Sequence, residues 1–168
     1  INELINLGKV RYAGASNFSV EQLQEALAVC GNSLAIHESL FNFSFRQNED
    51  AGILEFCNEN KIKFIAYQPL HRGKTEASQN ELLANLAEKY SKSQSQIILN
   101  WLVYKGIVPL VRSDNPTHVV ENIKAADFVM DEADYGLIDN FRDPELSRVV
   151  VDWSDSGLGN SIYEIANK

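Results

Sequence analysis

Gly106-Ile-Val-Pro-Leu-Val-Arg-Ser-Asp-Asn-Pro-Thr-His-Val-Val-Glu-Asn122 is the stretch on which the reading of this chain turns. Ile107 to Val111 is a short apolar run with Gly106 before it, and it predicts a buried strand. Asn115-Pro116 then supplies an N-cap and a proline at the first helical position, so a helix begins there. Arg112 and Ser113 fall between the two. A guanidinium and a hydroxyl thus leave the C-terminal end of a strand and face the donor-rich start of a helix, a setting suited to a phosphate. The plain alternative is a strand–helix junction that exposes an arginine.

Working outward, the same strand-then-helix unit recurs along the chain. Ile1 to Leu7 reads as the end of an amphipathic helix stopped by Gly8, and Val10 to Ala15 as the first strand, broken by Ser16-Asn17-Phe18. Ser19 and Gln22 form a capping box for a helix that buries Leu23, Ala26, Leu27 and Cys30 and ends near Gly31. A second strand is expected at Leu34 to Ser39. An aromatic loop from Phe41 to Phe45 follows, closed by Arg46, and then a helix from about Glu49 to Asn60 that buries Ile53, Leu54, Phe56 and Cys57. The third strand is Ile62 to Gln68, with a loop from Pro69 to Ser78 carrying Arg72 and Lys74.

Two helices, near Asn80–Tyr90 and Ser95–Tyr104, precede the Val108 strand, and Trp101 in the second reads as core. The helix after that strand runs to about Ala126, and a last one spans Asp131 to Phe141 before Asp143-Pro144. The tail from Glu145, with Val149-Val150-Val151 and Trp153, has no assigned place. Four such units predict an α/β fold, with a parallel sheet buried on both faces beneath crossover helices. A doubly wound open sheet and part of a (β/α)8 barrel both satisfy the pattern.

A length of 168 residues and 45% hydrophobic content suit one compact domain with a true core. A net charge of −8 argues against nucleic acid or an anionic membrane as the main partner. No apolar run approaches the ~20 residues of a membrane span, and no signal peptide is visible. Cys30 and Cys57 lack metal-ligand spacing and read as reduced thiols, which predicts a cytoplasmic protein. The opening Ile-Asn-Glu-Leu, without Met and already helical in pattern, reads as that of a fragment or a processed chain.

Four segments in order carry a family resemblance. Gly8-Lys-Val-Arg-Tyr-Ala-Gly-Ala-Ser-Asn-Phe18 resembles the aldo-keto reductase stretch that ends in Ser-Asn-Phe. Ile65-Ala-Tyr-Gln-Pro-Leu70 resembles the family's strand ending in Tyr-x-Pro-Leu, and the 106–122 stretch resembles its last βα unit. Between the first two, Phe41-Asn42 and Arg46 set a register that puts Glu38 where the family has Gln.

The resemblance implies the C-terminal half of a TIM (β/α)8 barrel over residues 1–144, with 145–168 as a tail, and NADP(H) as cofactor. It implies that Ser16 and Asn17 hold the nicotinamide carboxamide, Glu38 meets the same group as an acceptor only, and Tyr67 stacks on the ring. Gln68, Pro69, Leu70 and Arg72 would lie along the pyrophosphate. Arg112 and Ser113 would take the adenosine 2′-phosphate, and Glu121 and Asn122 the adenine. His118 stands where an Arg is common, a weaker and pH-dependent phosphate partner.

His37, beside Glu38, is expected on the opposite face of its strand, as a core or helix-facing histidine. The family's catalytic Asp, Tyr, Lys and His lie on its first four strands, so the resemblance assigns no catalytic residue here. The function it implies is the NADP(H)-binding half of an enzyme that reduces aldehydes or ketones. A non-catalytic nucleotide-binding or interaction module on the same fold is the alternative, and a sugar-phosphate enzyme a third reading. The expected partners are a small-molecule carbonyl substrate and either the missing N-terminal half-barrel or a second copy, joined through open sheet edges.

Overall fold

The computed structural model describes residues 1–73 and 80–142. Its frame is a parallel sheet of four strands, β1 (Ala13–Ser16), β2 (Leu34–Leu40), β3 (Lys63–Tyr67) and β4 (Val108–Leu110). Their spatial order is the order of the chain. A doubly wound sheet reverses its strand order at a switch point. This sheet has no reversal, so its crossovers wind the same way throughout, which is the topology of a barrel segment.

The helices between strands follow their sequence signals. Gly8 turns the chain after α1 (Asn2–Asn6) at φ 69°. The Ser19–Gln22 capping box starts α2 (Val20–Cys30), and Gly31 ends it. Gly52, at φ 75°, splits the expected 49–60 helix into α3 (Gln47–Asp50) and α4 (Ile53–Glu59). Asn80 caps α5 (Glu81–Tyr90), and a second capping box, Ser93 with Gln96, starts α6 (Gln94–Tyr104). Asn115 and Pro116 open α7 (Pro116–Lys124) as the sequence predicts, and α8 (Glu132–Asn140) follows Asp131.

Among the described residues, one face of the sheet is packed and the other is open. Ala13, Ala15, His37, Ser39, Phe64 and Ala66 are buried, and their neighbours Gly14, Ser16, Ile36 and Lys63 are exposed. The register slips between Ala13 and Gly14, a bulge in β2 that lets Leu34 and His37 share the packed side. The core lies on that side, where Leu23, Ile53, Leu54, Cys57, Leu83, Ile97, Ile98 and Trp101 close over the strands. Arg46 sits within this core, only 2% exposed. It donates to the carbonyls of Phe43 and Ile138 at 3.1 and 2.9 Å, pairs with Glu49 at 3.0 Å, and lies 4.1 Å over the Trp101 ring.

The expectation of a sheet buried on both faces, with a buried 107–111 strand, is corrected here. Ile107 is buried, but Val108 is 45% and Leu110 52% exposed on an edge strand. They stand beside Ile65 and Tyr67 on the face that no described residue layers over. Ala26, Leu27, Cys30 and Phe56 are half-buried at the core margin, not fully inside it. Cys30 and Cys57 are free thiols. No helix among the described residues is long and apolar enough to cross a membrane. Lys74, Asp143-Pro144 and the tail with Trp153 lie outside the described residues, as does the Arg72 side chain.

Candidate functional site at the C-terminal strand ends

Parallel βα folds carry their ligands where the strands end in sequence, because loops and helix starts converge there. Ser16, Glu38 and Ile65 lie in one register row, and Leu40, Tyr67 and Leu110 two residues further on, in the next row of the same face. Beyond Ser16 the chain turns at Asn17 with φ 57°, a left-handed conformation that Asn tolerates.

Three consecutive residues of β2 hold that turn. The Asn17 N–H donates to the Glu38 carbonyl at 2.9 Å. Phe18 N–H donates to His37 Nε2 at 3.0 Å, and the Ser39 hydroxyl donates to Asn17 Oδ1 at 3.2 Å. The Tyr67 hydroxyl donates to the same Asn17 Oδ1 at 3.1 Å, and Asn17 Nδ2 donates to the Ser16 hydroxyl oxygen at 3.2 Å. Asn48 Nδ2 supports Ser39 from behind at 3.1 Å. Ser16, Asn17, Glu38 and Tyr67, taken from three separate stretches, thus meet at one place. A carbonyl oxygen has two lone pairs, and both of Asn17's are taken. What the cluster can offer a ligand is therefore N–H from Asn17, O–H from Ser16, and carboxylate oxygens from Glu38.

The next loop is fixed by Asn42. Its Nδ2 donates to the Gln68 carbonyl at 3.2 Å, and its Oδ1 accepts from Ser44 and Phe45 N–H at 3.0 and 2.8 Å. Gln68 takes φ 51°, Pro69 is buried, and Leu70 packs at the core margin. Arg72 belongs to the short turn His71–Gly73.

At β4 and α7 the side chains are open. Arg112 is 90% exposed and lies 3.7 Å from Asp114, a competing carboxylate to which the sequence reading gave no role. The Ser113 hydroxyl is engaged in the capping turn: it accepts from Asn115 N–H at 3.1 Å and donates to the Asn115 carbonyl at 3.3 Å. His118 and Glu121 are exposed and Asn122 half-buried; no hydrogen bond or ion pair joins these three side chains to Arg112. The Glu121 backbone carbonyl is held by Gln96 Nε2 at 3.1 Å, which fixes α7 against α6.

His37 is fully buried on the packed side, as expected, and burial pushes its pKa down to about 4. Its role as an anchor of the Asn17–Phe18 turn was not read from sequence; nor were those of Ser39, Asn48 and the Asn42 side chain. The alternation of β2 was the available signal, since it places 37 and 39 beneath the same turn. No group of His, Cys, Asp and Glu that could hold a metal occurs among the described residues.

A model of the aldo/keto reductase family matches residues 1–143. The chain is 34% identical to the NADPH-dependent alpha-keto amide reductase of Saccharomyces cerevisiae over 142 residues, 80% of this chain and 45% of that protein. It is 32% identical to aldose reductase C of Dictyostelium discoideum, with 83% and 43% covered. Glyoxal reductase of Bacillus subtilis is 31% identical, with 83% and 49% covered. The crystal structure of a thermostable aldo-keto reductase bound to the inhibitor epalrestat superposes with a TM-score of 0.75 at 31% identity, covering 82% of this chain and 51% of that one. The chain spans about half the length of the curated relatives it matches.

Proposed function

The chain belongs to the aldo/keto reductase family, and we propose that it is the NADP(H)-binding half of a carbonyl reductase. The cofactor, when bound, supplies the hydride that turns an aldehyde or ketone into an alcohol. The chain's own residues bind and orient it. Asn17 Nδ2 and the Ser16 hydroxyl donate to the carboxamide oxygen, and Glu38 accepts from the carboxamide NH2. The Tyr67 ring lies along the nicotinamide face, held by its hydroxyl on Asn17. Gln68, Pro69, Leu70 and Arg72 follow the pyrophosphate. Arg112, Ser113 and His118 take the 2′-phosphate, and Glu121 and Asn122 the adenine edge.

The observation that carries this reading is the filling of both Asn17 Oδ1 lone pairs by Ser39 and Tyr67. What remains is two donors and one acceptor, the complement of a primary carboxamide. Residues 1–144 form one half of the barrel and 145–168 a tail. No residue of the chain acts as the catalytic acid; a complementary half supplies it, and the chain alone is inactive. Substrates are small aldehydes and ketones, in keeping with relatives named for keto amide and glyoxal reduction. The setting is cytoplasmic.

Calorimetric titration of the purified chain with NADPH and NADH tests the reading. NADPH should bind more tightly, and Arg112→Ala should weaken NADPH about tenfold or more while sparing NADH, which lacks the 2′-phosphate. Equal affinity for the two cofactors, unmoved by Arg112→Ala, refutes it.

A further inference from the structure

Glu38 is the one charged side chain in the register row that ends at Ser16. Its neighbours are a hydroxyl (Ser16) and an alkyl chain (Ile65) in the row, a carboxamide (Asn17) just beyond its end and, in the next row of the same face, a phenol (Tyr67). No lysine, arginine or histidine forms an ion pair with it among the described residues. Lys63 belongs to the opposite end of the open face, where its ammonium is held by the Gly106 carbonyl at 3.3 Å. The backbone of Glu38 is fixed, because its carbonyl accepts the Asn17 N–H at 2.9 Å and its Cα is paired with that of Ser16, and the alternation of β2 turns its side chain to the open face. Its side chain is half-buried, so water screens it only in part.

A nicotinamide ring carries a full positive charge when oxidised and none when reduced. Neutral donors and acceptors distinguish the two forms weakly; a carboxylate distinguishes them by Coulomb attraction. We propose that Glu38 sets the redox preference of this site, favouring the oxidised cofactor over the reduced one relative to a neutral side chain at the same place. The inference rests on the reading that Ser16 and Asn17 hold the carboxamide. It adds that the glutamate is a determinant of which redox form is held. A carboxylate that accepts from the ring's carboxamide, partly screened, would correspond to about tenfold in the ratio of the two dissociation constants. By linkage, the potential of the bound two-electron couple lies lower by about 30 mV than with a neutral residue.

The test is calorimetric titration of the purified chain and its Glu38→Gln variant with NADP+ and with NADPH, at low salt. Gln is nearly isosteric, and circular dichroism checks that the variant is folded. The expected result is that Glu38→Gln moves the NADP+/NADPH dissociation-constant ratio about tenfold toward NADPH, and that added salt narrows the gap between the two proteins. If both proteins bind both forms with the same ratio, the inference is overturned and the binding site stands. If neither form binds the folded chain, the proposed site itself fails and the inference falls with it.

Discussion

Acidification just below pH 6.5 should act on this protein first through one imidazole. His37 is fully buried, edge-on to the Phe64 ring at 5.6 Å, with Nε2 accepting from Phe18 N–H and Nδ1 lacking a partner. Burial lowers its pKa from 6.5 to about 4. Above pH 6.5 neither the folded nor the unfolded chain binds this proton, and stability is at its full value. As pH falls below 6.5 the unfolded chain takes up the proton and the folded chain does not, so the free energy of unfolding drops until about pH 4. Across that window the loss is about 3 kcal/mol, a large share of a typical domain's stability. Urea unfolding followed by circular dichroism, at a series of pH values from about 7.5 to about 4.5, measures it.

The comparison is His37→Gln, whose side-chain oxygen can still accept from Phe18 and which does not titrate. Glu21 is held below its usual range by the Ser19 hydroxyl and also loses stabilisation on acidification, but it does so in both proteins. The slope between pH 6.5 and about 4 should therefore be steeper in the unaltered chain by an amount that His37 alone supplies. Parallel slopes in the two proteins would refute the argument.

Two substitutions probe the packing beneath the site. Arg46→Ala removes a buried guanidinium that caps two carbonyls, pairs with Glu49 and covers Trp101, and should cost about 3–5 kcal/mol in urea unfolding. Arg46→Lys keeps the charge but not the planar fork and should recover little of it. Gly14→Ala places a Cβ 2.7 Å from Ile36 Cγ1 and should cost about 1–2 kcal/mol. In an Ile36→Ala background the same change should cost much less, a coupling that a double-mutant cycle reads directly.

The elements that carry their own local chemistry were legible from the sequence. The Ser19–Gln22 capping box, the Asn115-Pro116 start and the glycine after α1 all stand where they were expected, because each is specified by residues a few positions apart, whereas the Ser93–Gln96 box before α6 was not read from the sequence. The break at Gly52 was missed, since the apolar spacing from Ile53 onward fits a helix that begins earlier just as well. Val108 and Leu110 were misplaced for a different reason. Apolar residues that line a barrel interior have the same composition as residues beneath a helix layer. Composition records that a side chain avoids water in its finished setting, not which of the described elements covers it. At the site, the motifs named the residues at the strand ends but not their supports. His37 and Ser39 are polar residues within an apolar strand and Asn48 lies in α3. The alternation of β2 places the first two beneath the Asn17–Phe18 turn, but the bonds they make there, and the one by which Asn48 backs Ser39, show only in the packed-side contacts.

That division of β2 explains how a turn built of small polar residues keeps one shape. Its side chains alternate, so His37 and Ser39 reach the turn from the packed side while Glu38 faces the open side, and the Glu38 carbonyl completes the hold. Two of the three bonds come from residues almost wholly removed from water, where a lost partner leaves an unsatisfied polar atom. The turn is therefore anchored to the same strand that presents the carboxylate, and a ligand meeting Asn17 and Glu38 finds their spacing already set. The unpaired Nδ1 of His37 is the cost of that arrangement. Tautomer choice follows from it, since the nitrogen that accepts from Phe18 must be bare and the proton must sit on the partnerless one. Protonating His37 would put a second N–H against Phe18 N–H. His37 thus links the acid sensitivity of the fold to the position of the proposed carboxamide donors, which it holds together with Ser39 and the Glu38 carbonyl.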